Sequence, residues 1–204
     1  MNSKINTKRK RVKFASDNVV GACPEVLQAI INANDGIAPP YGNDEISSIL
    51  QEKFSEIFEK EVIVYPTASG TASNALALSA ISPVFGNIYC HKFSHINVDE
   101  CGAPEFYTGG AKLIPLTGRD GKITTDELES NIGGFGIVHH TQPSIVSITQ
   151  ATETGEVYTL DQIKSISEVA HKRKLKMHMD GARFANALVS LDVSPAEMLS
   201  LIHI

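Results

Sequence analysis

The chain has 204 residues, 42% of them hydrophobic and 20% charged, with a formal net charge of −5. That is room for one sizeable core, or one domain plus part of another, in an ordinary globular composition. The acidic balance argues against a nucleic-acid partner, whose binding rests on neutralising phosphates, and no apolar run approaches the roughly 20 residues that span a bilayer.

Residues 1–13 carry Lys4, Lys8, Arg9, Lys10, Arg11 and Lys13 without an acid, which reads as a basic, solvated and disordered tail. They hold no apolar core for a secretory signal and too little Arg for a transit peptide. Cys23, Cys90 and Cys101 are odd in number and lack C-x-x-C spacing, so reduced thiols and a cytoplasmic location are expected. From Pro24 to Asn32 a short helix is expected, with Pro24 in its first turn, followed by the Gly/Pro-rich loop Asp35 to Asp44. Between Asp44 and Lys60, Ile46, Ile49, Leu50, Phe54, Ile57 and Phe58 share one helical face, which predicts a helix packed on a sheet. Glu61 to Tyr65 then reads as a buried strand.

Pro66 to Thr71 leads into a small-residue helix over Ala72–Ile81 with Asn74 in its first turn. A strand, a glycine-containing turn and a helix start make an anion cup, because the first amides of a helix lack intrahelical partners and the macrodipole favours negative charge. Ser69, Gly70 and Thr71 therefore read either as a plain helix cap or as a phosphate site. Asn87–His91 and Ala111–Leu116 are further strands, the second placed at an edge by Pro115. His95, just beyond the first, is either structural or part of a site. Thr124 opens a helix with Asp126 and Glu127 in its first turn. His139 and His140 point apart and make no metal site.

Ile145–Thr149 is a buried strand, Gln150–Tyr158 a loop, and Thr159–Arg173 an amphipathic helix that faces Leu160, Ile163, Ile166, Val169 and Ala170 inward. Leu175, Met177 and Met179 then alternate with Lys176, His178 and Asp180, a strand period that breaks at Gly181 before a helix resumes. Asp180 lies at the carboxyl end of that strand, on the rim where open α/β sheets bind ligands. Arg183, three residues on, either pairs with Asp180 or serves a ligand. Alternating strands and helices indicate an α/β fold with a mostly parallel sheet flanked by helices.

Met179-Asp-Gly-Ala-Arg-Phe-Ala-Asn-Ala187 resembles the aspartate segment of the threonine aldolase and aromatic β-eliminating lyase family. Phe14–Asp17, Tyr41–Asp44, Ser69–Asn74, Ser94–His95, Glu100–Glu105 and Thr149–Glu153 follow in that family's order, closest to its low-specificity L-threonine aldolase branch. The resemblance runs from about Phe14 to Met198 and implies the large domain of a fold-type-I enzyme that uses pyridoxal 5'-phosphate (PLP). It implies a phosphate contact from Ser69, Gly70 and Thr71, ring stacking by His95 with Glu100 orienting it, and cofactor or substrate contact at Gln150. It also implies Asp180 on the pyridine nitrogen, and Ser16 and Arg183 on the substrate carboxylate. Asn43 stands where the family usually has Asp, and Glu153 where some members have His.

The implied reaction is aldol cleavage of L-threonine or L-allo-threonine, small amino-acid substrates, to glycine and an aldehyde by a homo-oligomer, a dimer or tetramer. No lysine occurs between Asp180 and Ile204, where the family's cofactor-holding lysine is expected. Residues 199–204 depart from the family pattern. Residues 14–198 thus read as an incomplete PLP-binding large domain lacking its C-terminal part, inactive by itself. The alternative is a non-catalytic remnant that pairs with a complete paralogue.

Overall fold

A computed structural model describes residues 19–202. The basic segment 1–13 and Ser16 fall outside them. The chain divides after Ser47 into two compact units. In the first, α1 (Pro24–Ala33) starts on Pro24 and ends on Asn34, whose amide donates to the carbonyls of Ile30 and Ile31. Asp44 caps the next helix, α2 (Glu45–Phe58), by accepting from the Ser47 amide at 2.8 Å.

Two expectations fail on α2 and the segment after it. No residue of α2 is buried, and Ile49, Phe54 and Ile57 are exposed, so the helix does not sit on a sheet. Residues 61–65 form no strand, and Ile63 and Tyr65 lie open. Their alternation supplies propensity, but a strand exists only where a neighbour takes its backbone groups. Here the amides of Val62 and Val64 donate instead to the side chains of Ser55 and Gln51 on α2.

The rest of the second unit is built on a sheet of order β2-β1-β3-β4, all pairs parallel: β1 (Gly86–His91), β2 (Lys112–Leu116), β3 (Gln142–Thr149) and β4 (Lys176–Asp180). β1 is buried throughout, as expected for a central parallel strand covered on both faces. β2, with Pro115, lies at an edge as expected. On one face Ile88, Cys90, Leu113 and Ile145 meet Leu78 of α3 (Gly70–Ile81) and Ile96 of α4 (His95–Val98). A further helix on this side, α5 (Ala103–Tyr107), packs on α3.

The opposite face is larger. Tyr89, Val146 and Ile148 meet Leu128 of α6 (Thr125–Asn131) and Ile163, Ile166, Val169 and Ala170 of α7 (Leu160–Lys172). Thr159 starts α7 with a reciprocal cap: its hydroxyl accepts from Gln162 N, while Gln162 accepts from Thr159 N. Ala187 of α8 (Phe184–Leu191), Met198 of α9 (Pro195–Ser200) and Ile202 complete this core. Each fully buried aliphatic side chain here contributes on the order of 1.5–3 kcal/mol over an exposed one.

Candidate active site

One change of direction in the strand order aims side chains at one place. β1 connects to β2 on one side and the chain then returns to β3 on the other, so a crevice opens at the carboxyl ends of β1 and β3. β1 delivers His95, β3 delivers the Gln150–Tyr158 loop, and β4, next to β3, delivers Asp180.

His178 and Asp180 are the polar members of β4's alternation, yet both are buried. They face the α3 layer, where Ser147 Oγ lies 2.9 Å from His178 Nδ1. Burial pushes the His178 imidazole down to about 4, against a smaller opposing pull from Asp180, so it stays neutral at physiological pH.

Asp180 is held at both oxygens: Oδ1 accepts from Ala182 N at 3.0 Å, and Oδ2 from Asn74 Nδ2 at 3.0 Å. Asn74 Nδ2 also donates to Glu100 Oε1 at 2.7 Å, and the same oxygen lies 2.8 Å from His95 Nδ1. One hydrogen-bonded line thus joins β4, α3, the Glu100 loop and α4. Its middle is buried, while the His95 side chain is 38% exposed at the cleft. The hydrogen bond to Glu100 raises the pKa of His95; partial burial opposes this, and charge on Glu100, Glu153 and Asp180 adds to it. Glu100 Oε2 is buried without a partner among the described residues. Asn74 was not singled out by sequence reasoning. Its only signal was its place in the first turn of a helix whose start was already a candidate anion site.

At the start of α3, Ser69 Oγ accepts from Ala72 N at 3.2 Å, so Ser69 acts as the N-cap. A side chain added at Gly70 would meet nothing within 4 Å, so the helix's first amides border open space. The arrangement is that of a cup with room in front of it.

Arg183 does not pair with Asp180. Its Nη2 donates to Glu153 Oε1 at 2.6 Å and its Nε to the Ala151 carbonyl at 3.1 Å. The Gln150 side chain is fully buried. It donates to the Tyr158 carbonyl at 2.9 Å and accepts from Tyr158 N at 3.0 Å. Its amide folds the loop back on itself, which commits both polar ends. His139 and His140 form an exposed ring pair, and the described residues hold no cluster suited to a metal ion.

The donor set fits PLP in chemical kind. A capped helix start with space at Gly70 stands at α3, a partly open imidazole at α4, and a doubly held carboxylate at the end of β4. No lysine belongs to the line from His95 to Asp180 among the described residues.

The chain is similar to known proteins over most of its length. A low specificity L-threonine aldolase from Pseudomonas sp. is 40% identical over 186 residues, which are 91% of this chain and 54% of that relative. The solved structure of a Leishmania major threonine aldolase superposes with a TM-score of 0.84 at 27% identity, covering 90% of this chain and 54% of that one. A putative L-allo-threonine aldolase from Listeria monocytogenes, at 22% identity and a TM-score of 0.67, shares the fold over 89% of this chain and 50% of its own. The chain spans about half the length of the curated relatives it matches. The model of the beta-eliminating lyase family matches residues 13–203. The chain belongs to the beta-eliminating lyase family.

Proposed function

We propose that these residues form the cofactor-binding half of a PLP-dependent aldolase that cleaves L-threonine and L-allo-threonine to glycine and acetaldehyde. The observation that carries this reading is the line from Asp180 through Asn74 and Glu100 to His95, at the carboxyl rim of a parallel sheet and beside the α3 cup. Cleavage needs the β-hydroxyl proton removed, the Cα–Cβ bond broken and the Cα electron pair held until a proton replaces the lost carbon. PLP supplies the electron sink for that pair.

The chain's own residues set up the rest. Gly70 and Thr71 bind the phosphate through the amides at the start of α3, with Ser69 fixing the turn. Asp180, fixed by Asn74 and Ala182, keeps a proton on a pyridine nitrogen by Coulomb attraction. His95, oriented by Glu100, presents its ring face to the cleft as a stacking surface. Arg183 offers a planar fork for the substrate carboxylate; Ser16 is a second candidate there. The apolar residues left exposed on α1 and α2, among them Ile30, Ile31, Ile49 and Ile57, support a homo-oligomer. Among the described residues no helix is long and apolar enough to cross a membrane.

Acetaldehyde release from both threonine diastereomers, by the protein that carries this chain and with added PLP, tests the activity; no release above free PLP overturns it. For the 204 residues by themselves we expect no specific lysine adduct, because among the described residues no amine joins the line from His95 to Asp180, where proximity would drive carbonyl capture. Borohydride reduction with PLP followed by peptide mass spectrometry checks this: scattered, substoichiometric pyridoxyl-lysine is expected. One lysine labelled near stoichiometrically overturns it. Scattered labelling with no cleavage fits a chain that is non-catalytic by itself, including one that pairs with a complete paralogue.

A further inference from the structure

We propose that Glu153 is a resident carboxylate that engages Arg183 until a ligand binds and sets the threshold a ligand carboxylate must exceed to displace it. This rests on the reading of Arg183 as the carboxylate grip and adds a residue that governs its selectivity.

The guanidinium is fixed at two points. Nε is anchored to the Ala151 carbonyl, and Nη2 to Glu153 Oε1 at 2.6 Å, the short distance of a charge-assisted bond. The anchor on Ala151 is backbone and holds the fork in place whatever Glu153 does. Glu153 is a side chain on the loop beyond β3 and can leave. Asp180, the nearer carboxylate in sequence, is unavailable as a substitute, since its oxygens are held by Asn74 and Ala182.

The Arg183 and Glu153 side chains are 37% and 24% exposed. An incoming anion can reach them, and an ion pair this open is weak enough to exchange. A guanidinium carries five donors, and the contacts to Ala151 and Glu153 engage two of its nitrogens. A ligand carboxylate that takes the Glu153 position therefore gains a fork already aimed by the loop. Glu153 also adds to the field that raises the pKa of His95, so its carboxylate acts on both the grip and the ring beside it. An anion binding at Arg183 thus exchanges one negative charge for another instead of filling a bare cationic pocket. That excludes weakly bound anions.

The test titrates acetate into the full 204-residue chain at constant ionic strength and pH 7.5, following the Arg183 side-chain N–H and the His95 ring by NMR. Glu153→Gln should lower the half-saturating acetate concentration by about fivefold, the scale of an exposed ion pair. Glu153→Asp, which keeps the charge, should stay close to the native value. Equal half-saturation in the native chain and Glu153→Gln overturns the proposal and leaves the reading of Arg183 standing. So does a Glu153→Asp variant that behaves like Glu153→Gln. If Arg183→Met still shows the acetate response at His95, the carboxylate binds elsewhere, and the reading of Arg183 and this proposal fall together.

Discussion

On the α7 side of the sheet, Tyr89, Val146, Ile148, Ile163 and Ile166 pack as a dry core. On the α3 side, Ser147, His178, Asp180, Asn74 and Glu100 bring hydrogen-bonding groups to the same depth. Both faces are buried, but they are held by different physics. The α7 face gains from area removed from water and tolerates any packing of similar volume. The α3 face gains little net energy from each hydrogen bond, yet leaving one of its groups unpaired is expensive. The α7 side supplies the larger apolar core, and the α3 side, beside a smaller apolar cluster of its own, supplies the polar geometry.

Removing Asp180 separates the two roles most sharply. Asp180→Ala in the cofactor-loaded whole protein is expected to lower threonine cleavage by about 10²–10³-fold or more, the range for losing a preorganised electrostatic contact. The circular dichroism spectrum should remain native; near-normal turnover would remove Asp180 from the site. On the other face, Ile148→Ala should lower unfolding stability by about 2–5 kcal/mol, read from denaturant midpoints. An effect under about 1 kcal/mol would mean that this face does not bear the fold.

The two histidines of the polar face give opposite pH signatures. His178 titrates near 4 in the folded state, below its ordinary value, so the unfolded chain takes up the proton first. Its contribution is present above about pH 6.5 and lost as the pH falls toward 4, on the order of 3 kcal/mol at the acid end. His95 is raised in the folded state. Its contribution is complete below about pH 6.5 and is lost as the pH rises through the folded value. Glu100→Gln removes the largest cause of that rise, so the His95 titration followed by NMR should move down; an unchanged midpoint would deny Glu100 the orienting role. The smallest effect is expected at Thr159→Ala, which opens the reciprocal cap of α7 and should cost about 1 kcal/mol without touching the cleft.

Sequence reasoning reached what depends on local pattern. The end of β4 at Asp180 was readable because Gly181 stops the alternation, and the start of α3 because Ser69 caps it. The pairing of Glu100 with His95 was implied by the family resemblance, and the hydrogen bond between them is present. The shared donation by Asn74 joins positions 74, 100 and 180, and no window of sequence contains all three. Polar alternation on β4 ordinarily marks a solvated face; here α3 covers that face, so His178 and Asp180 are buried. The direction of the Gln150 side chain was not legible, because its amide suits a ligand contact equally well and only the fold-back to Tyr158 decides it. Residues 61–65 misled for the converse reason: strand propensity was present, but no strand among the described residues pairs with them.

The first turn of α3 has a consequence for measurement at the molecular scale. The anion cup at Gly70 and the Asn74 amide that grips Asp180 belong to one helix, four residues apart. Their spacing is therefore that of a rigid rod with a rise of about 1.5 Å per residue, not that of two independently mobile loops. On the proposed reading, a ligand's anionic group at the helix start and its ring nitrogen at Asp180 would be registered by that one rod.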